Sequence, residues 1–206
     1  MVASSHRATV VTSSLSLPDV AGMKAHSLQN VLSARRSIRS FSQSELTRDQ
    51  LAQLLWAAQG ISDPDAGLRV APSAGALYPL KLDAVIAAGI FRYEPHENRL
   101  WLRAASDRRS AIAEAAYGQS WLALAPCLLS LAAIMDRSAT KYGARAERFV
   151  HLEVGHTAQN VLLVATALGL GATPVGAFDD ATLARLLELE PTAQPIYLIA
   201  VGSPPD

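Results

Sequence analysis

ARAERFVHLEVGHTAQNVLLVATALGL, residues 144–170, is the longest stretch of this chain that reads as a single helix. No proline interrupts it, and Gly169 offers a stop. At ~1.5 Å per residue it would run roughly 40 Å, enough to cross a whole domain. Upstream, Cys127 to Ala133 is a continuous apolar run after Pro126 and predicts a buried strand. Asp107 to Ala116 reads as a helix, and Ile90–Tyr93 with Arg99–Leu102 flank a hairpin turn over Glu94–Asn98. Lys81 to Ala87 alternates as a strand does. Gly60 to Tyr78, with Pro64, Gly67, Pro72 and Gly75, is a loop long enough to expect function in it. Before it, Thr47-x-x-Gln50 is a capping box ahead of Leu51, Leu54, Leu55 and Ala58 at helical spacing, closed by Gly60. Ser27 is placed to cap a short helix with Leu28, Val31 and Leu32 on one face, ending at Arg35-Arg36. Downstream, Asp179-Asp180 caps a helix bearing Leu183, Leu186 and Leu187, and Ile196 to Val201 predicts a last buried strand. Helices and strands mix without a regular βαβ repeat, so the fold class is α+β.

The 206 residues suffice for one generous domain, assigned to 17–206, after an arm over 1–16 rich in Ser, Thr and Ala. Half the residues are hydrophobic and only 17% are charged, which points to a large core and some surface covered by a partner subunit. Eighteen acids balance eighteen bases, against a nucleic-acid or anionic-membrane surface. The lone Cys127 excludes an intrachain disulfide and reads as an inert buried thiol. With no signal-peptide layout at the N-terminus, the expected location is cytoplasmic.

Four places carry candidate chemistry. Arg35, Arg36, Ser37 and Arg39 offer guanidinium planes and a hydroxyl, a donor set that suits a phosphate, although Arg35 and Arg36 also suit a helix C-terminus. Pro72-Ser73-Ala74-Gly75 is small enough for backbone to approach a flat ligand, or is an ordinary turn before a strand. Lys141-Tyr142 pairs an amine with a phenol; a lysine shut off from water favours its neutral form, and a neighbouring phenol can share its proton. Its bland reading is a solvated pair in a loop. Gly176-Ala177 lacks bulk and can lay backbone amides beside a ligand. Glu153-x-x-His156 puts both groups on one helical face, but no second motif or third ligand accompanies it, so no metal is expected. His156, Gln159 and Asn160 are read as polar groups satisfied at a subunit boundary. No Gly-x-Gly-x-x-Gly follows a strand, so a Rossmann nicotinamide site is unsupported.

Taken in order, Arg35-Arg36-Ser37-Ile38-Arg39-Ser40-Phe41, Pro72-Ser73-Ala74-Gly75-Ala76-Leu77-Tyr78-Pro79, Lys141-Tyr142-Gly143, Glu153 to Asn160 and Gly176-Ala177-Phe178-Asp179-Asp180 form a series. It closely resembles the SagB/ThcOx-type dehydrogenases of the flavin-dependent nitroreductase superfamily, a branch that includes azoline oxidases. The resemblance runs from about Leu17-Pro18 to the C-terminus. It implies a nitroreductase-like homodimer, with an antiparallel-dominated sheet between helices and two FMN sites at the subunit boundary.

By that resemblance Arg35 and Ser37 face the FMN phosphate and ribityl chain, and Arg39 the pyrimidine edge. Arg36, Pro72, Ser73, Ala74, Gly75, Leu77, Gln159, Gly176 and Ala177 complete the expected cofactor contacts, with the Pro72 loop reaching the flavin of the other subunit. Lys141 is the expected base, with Tyr142 relaying or orienting its proton. Ala76 stands where typical nitroreductases carry an asparagine, and Gly176-Ala177 where they often carry Glu-Gly; both departures point toward the azoline branch. The C-terminal Gly202-Ser203-Pro204-Pro205-Asp206 lacks a Lys-x-Arg phosphate pair, so weaker FMN binding is expected. The implied activity is oxidation of a thiazoline or oxazoline, on a peptide or carrier- or partner-bound intermediate, with hydride passing to flavin N5 and electrons to oxygen. The alternatives are an NAD(P)H-dependent nitro or quinone reductase, or a non-catalytic flavin-binding or interaction protein.

Overall fold

The computed structural model describes residues 13–20 and 26–205. Strand β1 (Ser14–Ser16) is followed by helices α1 (Leu28–Ala34) and α2 (Arg48–Gln59) and a small hairpin, β2 (Ile61–Asp63) and β3 (Leu68–Arg69). A 3-10 turn at Ala74–Ala76 leads into β4 (Leu80–Ile86), β5 (Gly89–Glu94) and β6 (Arg99–Ala104). Helices α3 (Arg109–Ala115) and α4 (Trp121–Leu124), strand β7 (Cys127–Ile134) and helix α5 (Met135–Tyr142) come next. A 3-10 turn at Gly143–Arg145 introduces α6 (Ala146–Ala167), and β8 (Gly171–Val175), α7 (Asp180–Leu186) and β9 (Ala193–Gly202) close the chain.

Seven strands form one sheet in the order β1-β6-β5-β4-β7-β9-β8, antiparallel at every pairing. Successive side chains on a strand point to opposite faces, so each central strand serves two cores. Leu129 and Leu131 of β7 pack with Leu82 of β4 against Leu54 of α2 and Val150 and Val161 of α6. Leu128 of the same strand packs with Val85 and Leu198 against Ile112, Leu122 and Leu183 from α3, α4 and α7. Covered on both sides, β7 is apolar at nearly every position, which is why it reads as an unbroken run. β4 is likewise buried through its middle, so the alternation expected for Lys81 to Ala87 is interrupted by the buried ion pair of Asp83 with Arg92.

The capping box forms as its spacing predicts. Gln50 N–H donates to Thr47 Oγ1 at 3.1 Å, and Thr47 N–H donates to Gln50 Oε1 at 2.9 Å. Asp179 caps α7 by accepting from Thr182 N–H at 2.7 Å. Ser27 stands at the N-cap of α1 but its hydroxyl makes no capping bond, and of that helix only Val31 is buried. Leu28 and Leu32, expected on a covered face, are 64% and 52% exposed.

The long helix is shorter than its periodicity predicts. α6 has 22 residues, roughly 33 Å. Gly143, with φ 51°, ends the preceding helix and forces a turn before α6 starts. Gly169, with φ 71°, turns the chain back so that Leu170 N–H donates to Ala165 O at 2.8 Å. Of the expected N-terminal arm, 1–12 lie outside the described residues; Ser14–Ser16 pair with Arg99–Trp101 at the sheet edge. No described helix is long and apolar enough to cross a membrane.

Candidate active site

Lys141 and Tyr142 do not lie in a loop: they are the last two residues of α5. That position aims them back at the loop after β3, where Gly75 has φ 64°. A Cβ added to Gly75 would come within 2.7 Å of both Lys141 Nζ and Tyr142 Oη. Two of the predicted segments, separated by more than sixty positions in sequence, therefore meet in space through a residue without a side chain. Lys141 Nζ also stands 5.6 Å from the Tyr142 ring centroid, and that ring meets Phe149 edge-on at 4.7 Å. Phe149 fixes the phenol; Lys141 is exposed, so the exclusion from water expected of it requires a ligand or a second chain over the site.

The loop that carries Gly75 is conformationally strained and firmly held. Ala76 and Tyr78 adopt φ 53° and 46°, each a left-handed conformation that costs about 1–2 kcal/mol outside glycine. Ser73 offsets this: its carbonyl accepts from Ala76 N–H at 3.0 Å and its hydroxyl from Tyr78 N–H at 2.9 Å. The Tyr78 phenol accepts from Arg69 N–H at 3.0 Å, the Arg69 guanidinium lies 4.5 Å from the Tyr78 ring centroid, and Arg137 donates to Tyr78 O at 3.1 Å. Pro72 and Gly75 remain exposed, and Ser73, Ala74 and Leu77 half-buried.

Behind the loop lies a buried polar cluster that sequence reading missed. Gln59 donates to Thr157 Oγ1 at 3.0 Å and accepts from Arg69 at 2.6 Å. Glu153, weighed in the sequence as a metal ligand and set aside, is 2% exposed, and its Oε1 has no hydrogen-bond partner among the described residues. Burial pushes its carboxyl up to about 7, against the opposing influence of the neighbouring Ser73, Arg69 and Gln59 side chains. Only its helical position marked it; the burial arises from contacts with α2 and the Ser73 loop. Among the described residues no group of three or more His, Cys, Asp or Glu gathers as a metal site would require.

The other predicted residues form a second group. Ser37 bridges to Ala172 of β8, and Ile38 N–H donates to Ala172 O at 3.2 Å, which lays the Arg35–Arg39 segment beside the strand leading to Gly176-Ala177. Arg39 stacks over Trp121 at 5.8 Å, and Gln119 donates to Ala177 O at 3.3 Å, so α4 and the turn before it tie both ends together. Arg36 bends back to donate to Ser33 O at 2.9 Å and Arg35 O at 2.7 Å, the helix-terminus role the sequence left open. Arg35 and Ser37 commit no side-chain donor to a partner among the described residues. Arg39, Gly176 and Ala177 are exposed. Gln159 is exposed on α6, as is His156, while Asn160 donates to Ala57 O at 3.2 Å. Cys127 is fully buried and its thiol is pushed up to about 12 by that burial, which makes it inert. Two recesses, about 310 Å³ beside Arg109 and about 560 Å³ beside Gly143, contain none of the predicted residues.

This sheet, with its two helical layers, sets a guanidinium-and-hydroxyl cluster suited to a phosphate beside a bulk-free turn. The model of the Nitroreductase family matches residues 32–203, and the chain belongs to that family. A Methanocaldococcus jannaschii protein provisionally named a nitroreductase is 39% identical over 197 residues, 93% of this chain and 96% of that protein. A provisional nitroreductase structure from Ralstonia eutropha superposes with a TM-score of 0.89 at 29% identity, covering 97% of this chain and 93% of the other. A chain of the E. coli microcin synthetase complex McbBCD, solved with truncated pro-MccB17, has the same fold: TM-score 0.74, 23% identity, 90% of this chain and 76% of that one. The cofactor is FMN, and the donor set fits it: unspent guanidinium and hydroxyl groups for a phosphate, and the exposed Gly176-Ala177 turn for a ring edge.

Proposed function

We propose that the chain is an FMN-dependent dehydrogenase that oxidises a thiazoline or oxazoline to the corresponding azole on a peptide or a carrier- or partner-bound intermediate. The observation that carries this reading is the convergence of Lys141 Nζ and Tyr142 Oη on Gly75. In this reading the amine and the phenol held together against a glycine form a proton-accepting pair. FMN, when bound, supplies the two-electron acceptor for hydride and passes the electrons to O2. The chain's own part is the proton: Lys141 Nζ removes it from the azoline ring carbon next to the one that loses hydride, and Tyr142 relays or orients it. Gly75 leaves the space in which Lys141 Nζ and Tyr142 Oη meet, and the pinned Ser73–Tyr78 backbone would hold the ring against the pair. Arg35, Ser37 and Arg39 would hold the phosphate, ribityl chain and pyrimidine edge, and Gly176 and Ala177 would present backbone near the flavin edge.

The working form in this reading is a homodimer. No hydrogen bond or ion pair joins the Gly75–Lys141 group to the Arg35–Gly176 group among the described residues, and in this reading a complete site draws one group from each copy. The exposed flank of α6, with Leu152 53% exposed beside Gly155, His156 and Gln159, and Leu28 and Leu32 of α1 offer the surface for it. The fold shared with a chain of a microcin synthetase complex agrees with a peptide substrate delivered by a partner. A second reading, an NAD(P)H-dependent nitro or quinone reductase, is favoured by the names of the two relatives with higher identity. Incubation of the FMN-loaded protein in air with a peptide carrying one thiazoline separates the two. Loss of two hydrogens by mass, abolished in Lys141→Ala, supports the dehydrogenase; an unchanged peptide sinks it.

A further inference from the structure

The Lys141–Tyr142 pair does not account for the positive charge gathered behind it. β4 and β5 are antiparallel, with Asp83 opposite Arg92, so the start of β4 and the end of β5 meet at one end of the sheet. A recess of about 230 Å³ opens there, lined by Arg69, Lys81, Arg92 and Arg137, with Glu94 the single acid on its wall. Arg92 is neutralised by both carboxylate oxygens of Asp83 and reaches Glu190 at 3.4 Å. Arg69, Lys81 and Arg137 enter no ion pair among the described residues. Arg69 Nε is moreover buried with no hydrogen-bond partner.

Such an arrangement is costly without an anion. Like charges gathered round a small opening repel, and Arg69, Lys81 and Arg92 are partly or largely withdrawn from water while Arg137 stands exposed at the rim. The effect registers at Lys81, whose ammonium is pushed below its ordinary range by burial and then by the charges of Arg92 and Arg137, which outweigh Glu190 and Glu94. A bound carboxylate or phosphate would relieve the repulsion and give Arg69 Nε the acceptor it lacks.

The recess also adjoins Lys141 and Tyr142. Arg137 and Lys141 stand one turn apart on α5, ~6 Å along its axis. Tyr78, whose carbonyl takes the Arg137 bond and whose ring carries Arg69, belongs to the same loop as Gly75. We propose that this recess is an anion subsite, in which Lys81, Arg137 and Arg69 bind a carboxylate or phosphate group of the molecule that reacts at Lys141 and Tyr142. The proposal rests on the dehydrogenase reading only in naming that molecule as the substrate; the anion site itself stands apart from it.

The test is calorimetric titration of the full FMN-loaded protein, at low ionic strength, with inorganic phosphate and separately with succinate. Saturable binding of at least one is expected, weakened about tenfold or more in Lys81→Ala, Lys81→Gln and Arg137→Ala, with Arg185→Ala on the exposed surface of α7 unchanged. The tighter of the two anions identifies the group as phosphate or carboxylate. A flat titration of the unsubstituted protein, or equal affinity in all variants, overturns the proposal. So does loss of flavin absorbance in the Lys81 or Arg137 variants, which would assign the recess to the cofactor. Anion binding without azoline oxidation would leave the subsite standing and remove only the dehydrogenase reading.

Discussion

Replacing Glu153 by glutamine changes one atom type in a site with almost no solvent contact, and its effect can be worked out beforehand. The folded carboxyl releases its proton at about 7, against an ordinary value of 4.5. Below pH 4.5 the folded and unfolded chains both hold this proton and the group makes no difference to stability. Between 4.5 and 7 the folded chain holds more of it than the unfolded chain, so stability falls as pH rises; above 7 the full loss is in place. At about 1.4 kcal/mol per pH unit, the loss amounts to an upper limit of about 3 kcal/mol. The substituted amide would carry no charge to desolvate, so E153Q loses this component of the pH dependence.

Thermal or urea unfolding of both proteins at equal flavin loading, from pH 4 to 8.5, measures the difference directly, since every other titrating group cancels. The variant should match the parent near pH 4 and exceed it above pH 7 by up to about 3 kcal/mol, or ~6–12 °C in Tm for a chain of this size. A difference that stays constant across the range would refute the burial argument for Glu153.

Gly75→Ala forces a Cβ into the space shared by Lys141 Nζ and Tyr142 Oη at φ 64°; turnover measured at saturating FMN should fall at least tenfold. Arg35→Ala removes a donor free of partners among the described residues and should weaken FMN binding about 10- to 100-fold by fluorescence titration. Arg36→Ala, whose guanidinium already serves α1, should change it much less.

The legible parts of this fold were those decided by neighbours in sequence. Thr47 and Gln50 cap α2 because two side chains at fixed spacing satisfy two backbone N–H groups, and β7 showed itself because both its faces are covered. Helix α5 was missed because its covered face over eight residues is only Met135, Ser138, Ala139 and Tyr142, too short and too polar a stripe to stand out in the sequence. The β2–β3 hairpin, of three and two residues, is too short to leave a pattern. The site divides the same way. Lys141-Tyr142 and the Gly75 loop were visible as motifs, but Glu153, Arg69, Lys81 and Arg137 become a cluster only when α2, β3, β4, α5 and α6 pack together. Their spacing in the chain holds no trace of that.

The dehydrogenase reading is tested most directly by an anaerobic visible spectrum of the FMN-loaded protein, mixed first with excess NADPH and then with a thiazoline peptide. The account predicts a flavin band that persists with NADPH, bleaches with the peptide, and persists with both in Lys141→Ala. Rapid bleaching by NADPH with none by the peptide would contradict it and make the chain a nicotinamide-dependent reductase.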